Sequence, residues 1–289
     1  LTNGSDAKSI GQAYRGAQQQ FRDAGLETPD IDAALLLEHA CGATTIERIT
    51  RPERQMTSAQ ISTFANFVKR RINREPVHRI IGEREFYGLA LGLNEATLIP
   101  RPDTEVLVDM VLPFVQNCIE KSGRCSILDL GTGTGAIALA ILSQAPLTSA
   151  TITDLEPKAL EMALANAGRH GLQDRITSLQ SNWFENVSER YDLIISNPPY
   201  IASKVIKGLA ADVRDYDPHL ALDGGETGLD AYRIIASQCA SYLKTGGRIA
   251  VEIGFDQKNS VTKLFNQAGF KAIEAQTDLN GKNRALFFT

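Results

Sequence analysis

No stretch of about eighteen or more apolar residues occurs anywhere in the 289-residue sequence, so no membrane-spanning helix is expected. Residues 1–16 hold no basic segment followed by an apolar run, which argues against a secretory signal and for a cytoplasmic location. Cysteine is scarce. Cys41, Cys118, Cys125 and Cys239 form no C-x-x-C pair, and no histidine stands at metal-ligand spacing from them. They read as reduced, mostly buried thiols, and no metal is expected. The four histidines (His39, His78, His170, His219) are scattered, with no Ser/His/Asp or H-E-x-x-H arrangement. That removes the usual triad and zinc-hydrolase chemistries. An excess of positive charge is also missing: 30 basic residues face 34 acidic ones, a net of −4. A protein that lives on bare nucleic acid is more often basic.

What is present fits a soluble globular chain. Hydrophobic residues make up 43% and charged residues 22%, enough apolar side chain for real cores, and the length suits two domains. Residues 1–84 carry 12 basic against 10 acidic residues and the remainder 18 against 24, a mild hint of two units with different tasks. The first part reads as helices only. Ala7 to Ala24 has helical apolar spacing and stops at Gly25; Thr28-Pro29-Asp30 reads as a capped start for Ile31 to Ala40; Thr57-Ser58 opens Ala59 to Ile72, with Ile61, Phe64, Ala65 and Val68 on one stripe. The basic run Lys69 to Arg74 is either a solvated helix end that offsets the dipole or a docking surface.

Phe86 to Ile99 alternates and carries Gly88, Gly92 and Asn94, which suggests a β-hairpin linker within residues 85–102. After Pro100-Arg101-Pro102-Asp103 the pattern changes to strands alternating with helices over residues 103–289. That pattern predicts a doubly wound, mostly parallel sheet. The last two strands, Phe270 to Ala275 and Ala285 to Phe288, have no helix between them and must pair antiparallel.

Asp129-Leu130-Gly131-Thr132-Gly133-Thr134-Gly135-Ala136 lies between a predicted strand and helix, with Asp154 ending the next strand. Such a loop lets a ligand approach the backbone, and the downstream carboxylate can accept both hydroxyls of a ribose. The spacing suits NAD as well as S-adenosylmethionine (SAM), and a merely structural tight turn is the third reading. Asp129, just ahead of the glycines, fits a polar contact at the amino-acid end of SAM and tips the balance.

Asn197-Pro198-Pro199-Tyr200 follows the fourth strand directly, on the same sheet edge as the glycine loop. The prolines stiffen the backbone and leave carbonyls free as acceptors, and Asn197 adds a side-chain carbonyl. A carboxamide or aromatic amino nitrogen presents two coplanar N–H donors. The Asn197 side chain and the Pro198 carbonyl can hold both, while Tyr200 stacks on the planar group. The chemistry predicted is methylation of a planar nitrogen, with a rigid strand-exit turn as the structural alternative.

Several segments together resemble the release factor glutamine methyltransferases, the PrmC/HemK family. They are Glu75 to His78, Gly82 to Tyr87, Leu98 to Glu105, Asp129 to Ala140, Ser181 to Phe184, Asn197 to Tyr200, and Ala221 to Gly225 with Gly228. The resemblance implies a Class I SAM-dependent methyltransferase sheet with a C-terminal antiparallel hairpin, plus an N-terminal helical domain for substrate recognition. It implies that Gly131, Thr132, Gly133, Thr134 and Gly135, with Asp129, Asp154 and Leu155, contact SAM. Trp183 and Asn182 would line the adenine, although Asp is frequent where this chain has Asn182. Asn197 to Tyr200 would hold the glutamine of a release factor's Gly-Gly-Gln loop, and the enzyme would act as a monomer without nucleic acid. Two other functions fit fewer of the motifs: an adenine N6-type DNA or RNA methyltransferase using the same tetrapeptide, and a non-enzymatic nucleotide-binding scaffold.

Overall fold

The computed structural model describes residues 8–289, and its contacts divide them into two compact units. The first comprises the chain up to Gly82 together with Ala211–Tyr216. Its helices are α1 (Ile10–Asp23), α2 (Pro29–Cys41), α3 (Thr45–Thr50), α4 (Ser58–Ile72) and α5 (Val77–Ile81). Ala7, where the sequence pattern starts the first helix, lies outside the described residues. Two N-termini are closed by reciprocal capping boxes, Ser9 with Gln12 and Thr57 with Gln60, each satisfying two otherwise orphan donors. Thr28 occupies the cap position of α2 without capping it: its hydroxyl donates to Asp32 Oδ1 at 2.9 Å. The core is built on Ile10, Phe21, Leu36, Leu37, Phe64 and Val68. Of the predicted stripe on α4, Ala65 is exposed and Arg71 is buried instead.

Within the basic run, Lys69 is exposed in the last turn of α4, where its charge suits the helix end, but the arginines are engaged internally. Arg71 Nε donates to Asp32 Oδ2 at 2.7 Å and its Nη1 to Asp212 Oδ2 at 2.9 Å. Arg70 grips both oxygens of Glu75, and Arg74 donates to the carbonyls of Ala24 and Gly25. Three of the guanidinium groups are therefore spent on tying helix ends to one another. Sequence spacing could not show this, because Asp212 lies 141 residues from Arg71.

The second unit comprises Glu83–Ala210 and Asp217–Thr289. It opens with a hairpin of β1 (Glu83–Phe86) and β2 (Leu89–Gly92), earlier and shorter than the Phe86 to Ile99 expected. Tyr87 and Gly88, both at positive φ (52° and 76°), make the two-residue turn, so the chain reverses at the point where the alternation was expected to begin. There follow α6 (Glu105–Ser122), β3 (Cys125–Leu130), α7 (Ala136–Gln144), β4 (Thr148–Asp154), α8 (Pro157–Arg169), β5 (Ile176–Gln180) and β6 (Tyr191–Ser196). Three single-turn helices follow β6: α9 (Ser203–Ile206), α10 (Ala211–Arg214, grouped with the first unit) and α11 (His219–Leu222). The chain ends with α12 (Asp230–Gln238), β7 (Leu243–Glu252), α13 (Lys258–Gln267), β8 (Ala272–Thr277) and β9 (Asn283–Phe288).

The sheet order is β5-β4-β3-β6-β7-β9-β8, parallel except for β9, which runs antiparallel to both neighbours. Alternation along the strands feeds two separate cores. Ile127, Leu193, Ile195, Ala250 and Phe287 face one, and Leu128, Leu130, Ile194, Val251 and Phe288 the other. The sheet is thus covered on both faces, as in a Class I methyltransferase. Strand order reverses between β3 and β6, and open α/β sheets hold their ligands in the crevice beyond the carboxyl ends at such a point. Among the described residues no helix is long and apolar enough to cross a membrane, and no group of His, Cys, Asp and Glu is arranged to hold a metal ion.

Candidate active site

The loop after β3 is shaped by three left-handed glycines, Gly131 (φ 69°), Gly133 (φ 57°) and Gly135 (φ 81°). The amide of Thr132 donates to the carbonyl of Thr153 at 2.9 Å, which pins the loop to β4. Asp154, at the end of β4, accepts from the Gly133 amide at 2.9 Å and from the Glu156 amide at 3.0 Å. Burial raises its carboxyl above the ordinary value, opposed by these backbone donors. A carboxylate offers about four acceptor positions, so capacity remains for a ribose hydroxyl. Asp129 is differently placed. It is buried beneath the loop rather than on the cavity wall, and its Oδ2 accepts from the Thr132 hydroxyl at 2.7 Å. Burial pushes its carboxyl up to about 6, against that hydrogen bond. Its Oδ1 is buried with no hydrogen-bond partner. Asp129 therefore fixes the loop from behind.

The loop borders a cavity of about 630 Å³. Gly131, Thr132, Gly133, Thr134, Asp154, Leu155, Asn182, Trp183, Asn197 and Pro199 all line it, and Pro198 and Tyr200 follow Asn197 at its edge. A Cβ built on Gly131 or Gly133 meets no atom within 4 Å, so the cavity is open over these glycines. By contrast, a Cβ on Gly135 would sit 3.2 Å from Ala163, so this glycine serves helix packing. Trp183 has a left-handed backbone (φ 55°), a conformation costly for a bulky residue, and its carbonyl accepts from the Ser181 hydroxyl at 3.0 Å. Its ring packs partly on the second core and partly borders the cavity. Asn182 donates its Nδ2 to Glu185 at 2.9 Å, which leaves its carbonyl as the acceptor pole. Open glycine backbone, a hydroxyl-accepting carboxylate and a tryptophan edge suit a nucleoside-bearing cofactor such as SAM.

The tetrapeptide leaves β6 beside this loop. The Ser196 hydroxyl donates to the Leu130 carbonyl at 2.8 Å, joining the two strand ends. Asn197 Nδ2 donates to Thr104 Oγ1 at 3.3 Å. Neither Asn197 Oδ1 nor the Pro198 carbonyl accepts a hydrogen bond from a described residue. The Tyr200 hydroxyl donates to Glu252 Oε1 at 3.4 Å, and burial beside that carboxyl raises its own pKa strongly. The ring expected to stack on a substrate is therefore tethered through its hydroxyl to Glu252.

Several residues that hold the site escape a motif scan. Gln257 Nε2 donates to the carbonyls of Tyr200 (3.0 Å) and Gly228 (3.1 Å). Gly224 approaches the tetrapeptide so closely that a Cβ there would lie 2.8 Å from the Pro199 carbonyl. The Ala221 to Gly225 segment is thus a backbone brace, paired to Ile201 on both sides. Across the cavity, Leu98, Pro100 and Arg101 bring the predicted linker into the wall beside Thr104, and Arg101 donates to the buried Asp217 at 2.8 Å. Glu252 had one available signal, a charged residue at the end of the apolar run Ile249 to Val251.

Comparison with known proteins places the chain in a family. The PrmC N-terminal domain family matches residues 12–82 and the methyltransferase small domain family matches residues 107–213. A release factor glutamine methyltransferase of Agrobacterium fabrum is 43% identical over 288 residues, covering 100% of this chain and 99% of its own. That of Caulobacter vibrioides is 41% identical over 276 residues, covering 95% and 94%. Among solved structures, the hMettl16 catalytic domain aligns with a TM-score of 0.55 at 16% identity over 70% of this chain and 76% of that one, a likeness of fold. Matched from end to end at such identity, the chain belongs to the release factor glutamine methyltransferase family.

Proposed function

We propose that this chain transfers a methyl group from S-adenosylmethionine to the side-chain amide nitrogen (N5) of the glutamine in the Gly-Gly-Gln loop of peptide chain release factors. The observation that carries this reading is the pair of adjacent acceptors at the β6 exit, Asn197 Oδ1 and the Pro198 carbonyl, neither claimed by a described residue. A primary carboxamide presents two coplanar donors, and a matched pair of acceptors fixes its plane. Both acceptors also withdraw positive charge from the N–H groups, which raises electron density on a weakly nucleophilic nitrogen.

SAM supplies the electrophile, a methyl group on a positively charged sulfur. Gly131 and Gly133 would admit it, Asp154 would accept from its ribose hydroxyls, and Leu155, Asn182 and Trp183 would border its adenine. Pro100, Arg101 and Thr104 line the opposite side. No strong base is needed, because the nitrogen sheds its proton after it has been methylated. Positioning then supplies most of the acceleration, with about 7–11 kcal/mol available in principle from proximity. The helical unit supports a role in gripping the release factor away from the glutamine, so that remote binding energy serves the reacting centre. The reading includes a cytoplasmic monomer that takes protein rather than nucleic acid.

Mass spectrometry of a release factor incubated with the protein and SAM should find one added methyl on the Gly-Gly-Gln peptide. A methyl appearing instead on adenine of added RNA or DNA would replace this reading with the nucleic-acid one. A chain starting at Glu85 should retain methylation of a short Gly-Gly-Gln peptide relative to its turnover of intact release factor. Equal turnover of intact release factor by both chains would refute the role of the helical unit.

A further inference from the structure

Resting on the SAM-dependent part of that reading, we propose that Asn166 is a positioning residue for the cofactor: its side chain ties the glycine loop to the linker hairpin and so sets two walls of the cavity against each other. The two walls come from different parts of the chain. Thr134 brings the glycine loop into the lining, and Glu95, Ala96 and Leu98 bring in the segment that follows β2.

Asn166 lies on α8 and is 2% exposed. Its Oδ1 accepts from the Gly92 amide at 2.7 Å, and its Nδ2 donates to the Gly92 carbonyl at 3.2 Å. The amide thus treats Gly92, the last residue of β2, as a neighbouring strand would, engaging both of its backbone groups. The same Nδ2 also donates to the Thr134 carbonyl at 2.9 Å. A primary amide has two donors on one nitrogen, and here each goes to a different wall. Only one orientation of the amide satisfies all three contacts, and leaving a buried polar group unpaired is costly. Gly92 makes the approach possible. A Cβ there would stand 3.1 Å from Met162 Sδ and 3.3 Å from Asn166 Oδ1, tighter than ordinary contact.

The loop contact is what sets Asn166 apart from a hairpin anchor. The glycine loop has two further ties, from the Thr132 amide to the Thr153 carbonyl and from the Gly133 amide to Asp154, and both lead to β4. Neither involves the hairpin. The hairpin and its following segment have their own ties to α8 and its end: His170 Nε2 donates to the Ala90 carbonyl at 2.9 Å, and Asn94 Nδ2 to the Lys158 carbonyl at 2.7 Å. Neither reaches the loop. Of these residues, Asn166 is the one that joins both sets. Walls fixed before a ligand arrives reduce the ordering that binding must supply. Without Asn166 each wall keeps its own anchors and loses its direct tie to the other, so SAM must do the ordering. The acceptors at the β6 exit take no part in this tie, so the loss falls on SAM affinity and not on turnover.

The test uses the full chain, with SAM affinity read by calorimetry and kcat and KM for SAM read on intact release factor. Asn166→Asp keeps the acceptor for the Gly92 amide and gives up the donor to Thr134. Kd and KM for SAM should rise about tenfold, the scale of one buried hydrogen bond, with kcat at saturating SAM held within about twofold. Gly92→Ala leaves Asn166 in place but presses on its Oδ1, and should weaken SAM binding several-fold. The double variant should lose less than the product of the two single losses, because both break one tie. His170→Ala is the control. It loosens the same hairpin, so it should lower the urea midpoint while Kd for SAM stays within about twofold. Wild-type SAM affinity in Asn166→Asp, or in Gly92→Ala should the first variant fail to fold, would overturn the inference. A loss in His170→Ala equal to that in Asn166→Asp would overturn it too, because hairpin docking alone would then explain the effect. A wild-type protein that binds no SAM would overturn the cofactor reading itself. One that binds SAM but leaves release factor unmethylated would overturn the substrate reading and leave the calorimetric comparison in force.

Discussion

Single residues divide into those that face the cavity and those that fix them from behind. Asn197 is the clearest of the first kind. Its replacement by alanine should lower kcat by about 10²–10³-fold, the effect of removing one preorganised polar contact, with SAM binding largely kept. Unchanged turnover in a methyl-transfer assay would reduce the tetrapeptide to a structural turn. Asp129 and Glu252 are of the second kind, and both carry a stability cost. Burial lifts Asp129 from 3.8 to about 6 and Glu252 from 4.5 to about 7. The native state therefore holds more protons than the unfolded chain across that window, so stability should fall as pH rises through it. The urea midpoint should be lower near pH 8 than near pH 5, and Glu252→Gln should flatten the difference. A midpoint that rises over the same range would contradict the assignment of buried, unwillingly charged carboxyls.

At the scale of elements, the site is a junction of strand ends and loops, and the loops do the bracing. Gly224 shows it best. It does not need a positive φ, yet a methyl group there would meet the Pro199 carbonyl at 2.8 Å and Tyr200 Cα at 2.9 Å. Gly224→Ala must therefore displace the tetrapeptide or the Gly228 backbone that it also meets. The expected result is a loss of about 1–3 kcal/mol in stability, as for other overpacked sites, and a larger fractional loss of kcat than of SAM affinity. A variant with wild-type turnover would mean that the brace is slack. The Gly-Gly pair was visible in the sequence as a motif, but its purpose was not, because the surface it touches lies more than twenty residues earlier in the chain. The hairpin boundary failed for a different reason. Tyr87 takes a left-handed conformation uncommon for its type, so of the two turn residues only Gly88 was marked by its propensity.

Across the whole molecule, two packed units each depend on long-range pairs. Arg71 is the example in the helical unit, where one buried guanidinium serves Asp32 and Asp212. Removing it strands a carboxylate that is 7% exposed, so Arg71→Met should cost about 3–5 kcal/mol, read from urea unfolding of the full chain. A cost below about 1 kcal/mol would mean that water reaches Asp32 freely.

The sequence by itself determined the α/β order, the antiparallel last strand, the glycine loop and the tetrapeptide, because these follow from local periodicity, from φ freedom and from the rigidity of proline. It also carried the family, through motifs that survive side by side. Only the tertiary structure decided that the Asp129 carboxyl is buried against Thr132 and the Tyr200 hydroxyl against Glu252, that the arginines of the basic run are engaged internally, and that Thr104, Gln257 and Gly224 contact the tetrapeptide. Those roles depend on which side chains meet across the sheet and on which donors and acceptors remain unclaimed once they have met, and neither is encoded in spacing along the chain.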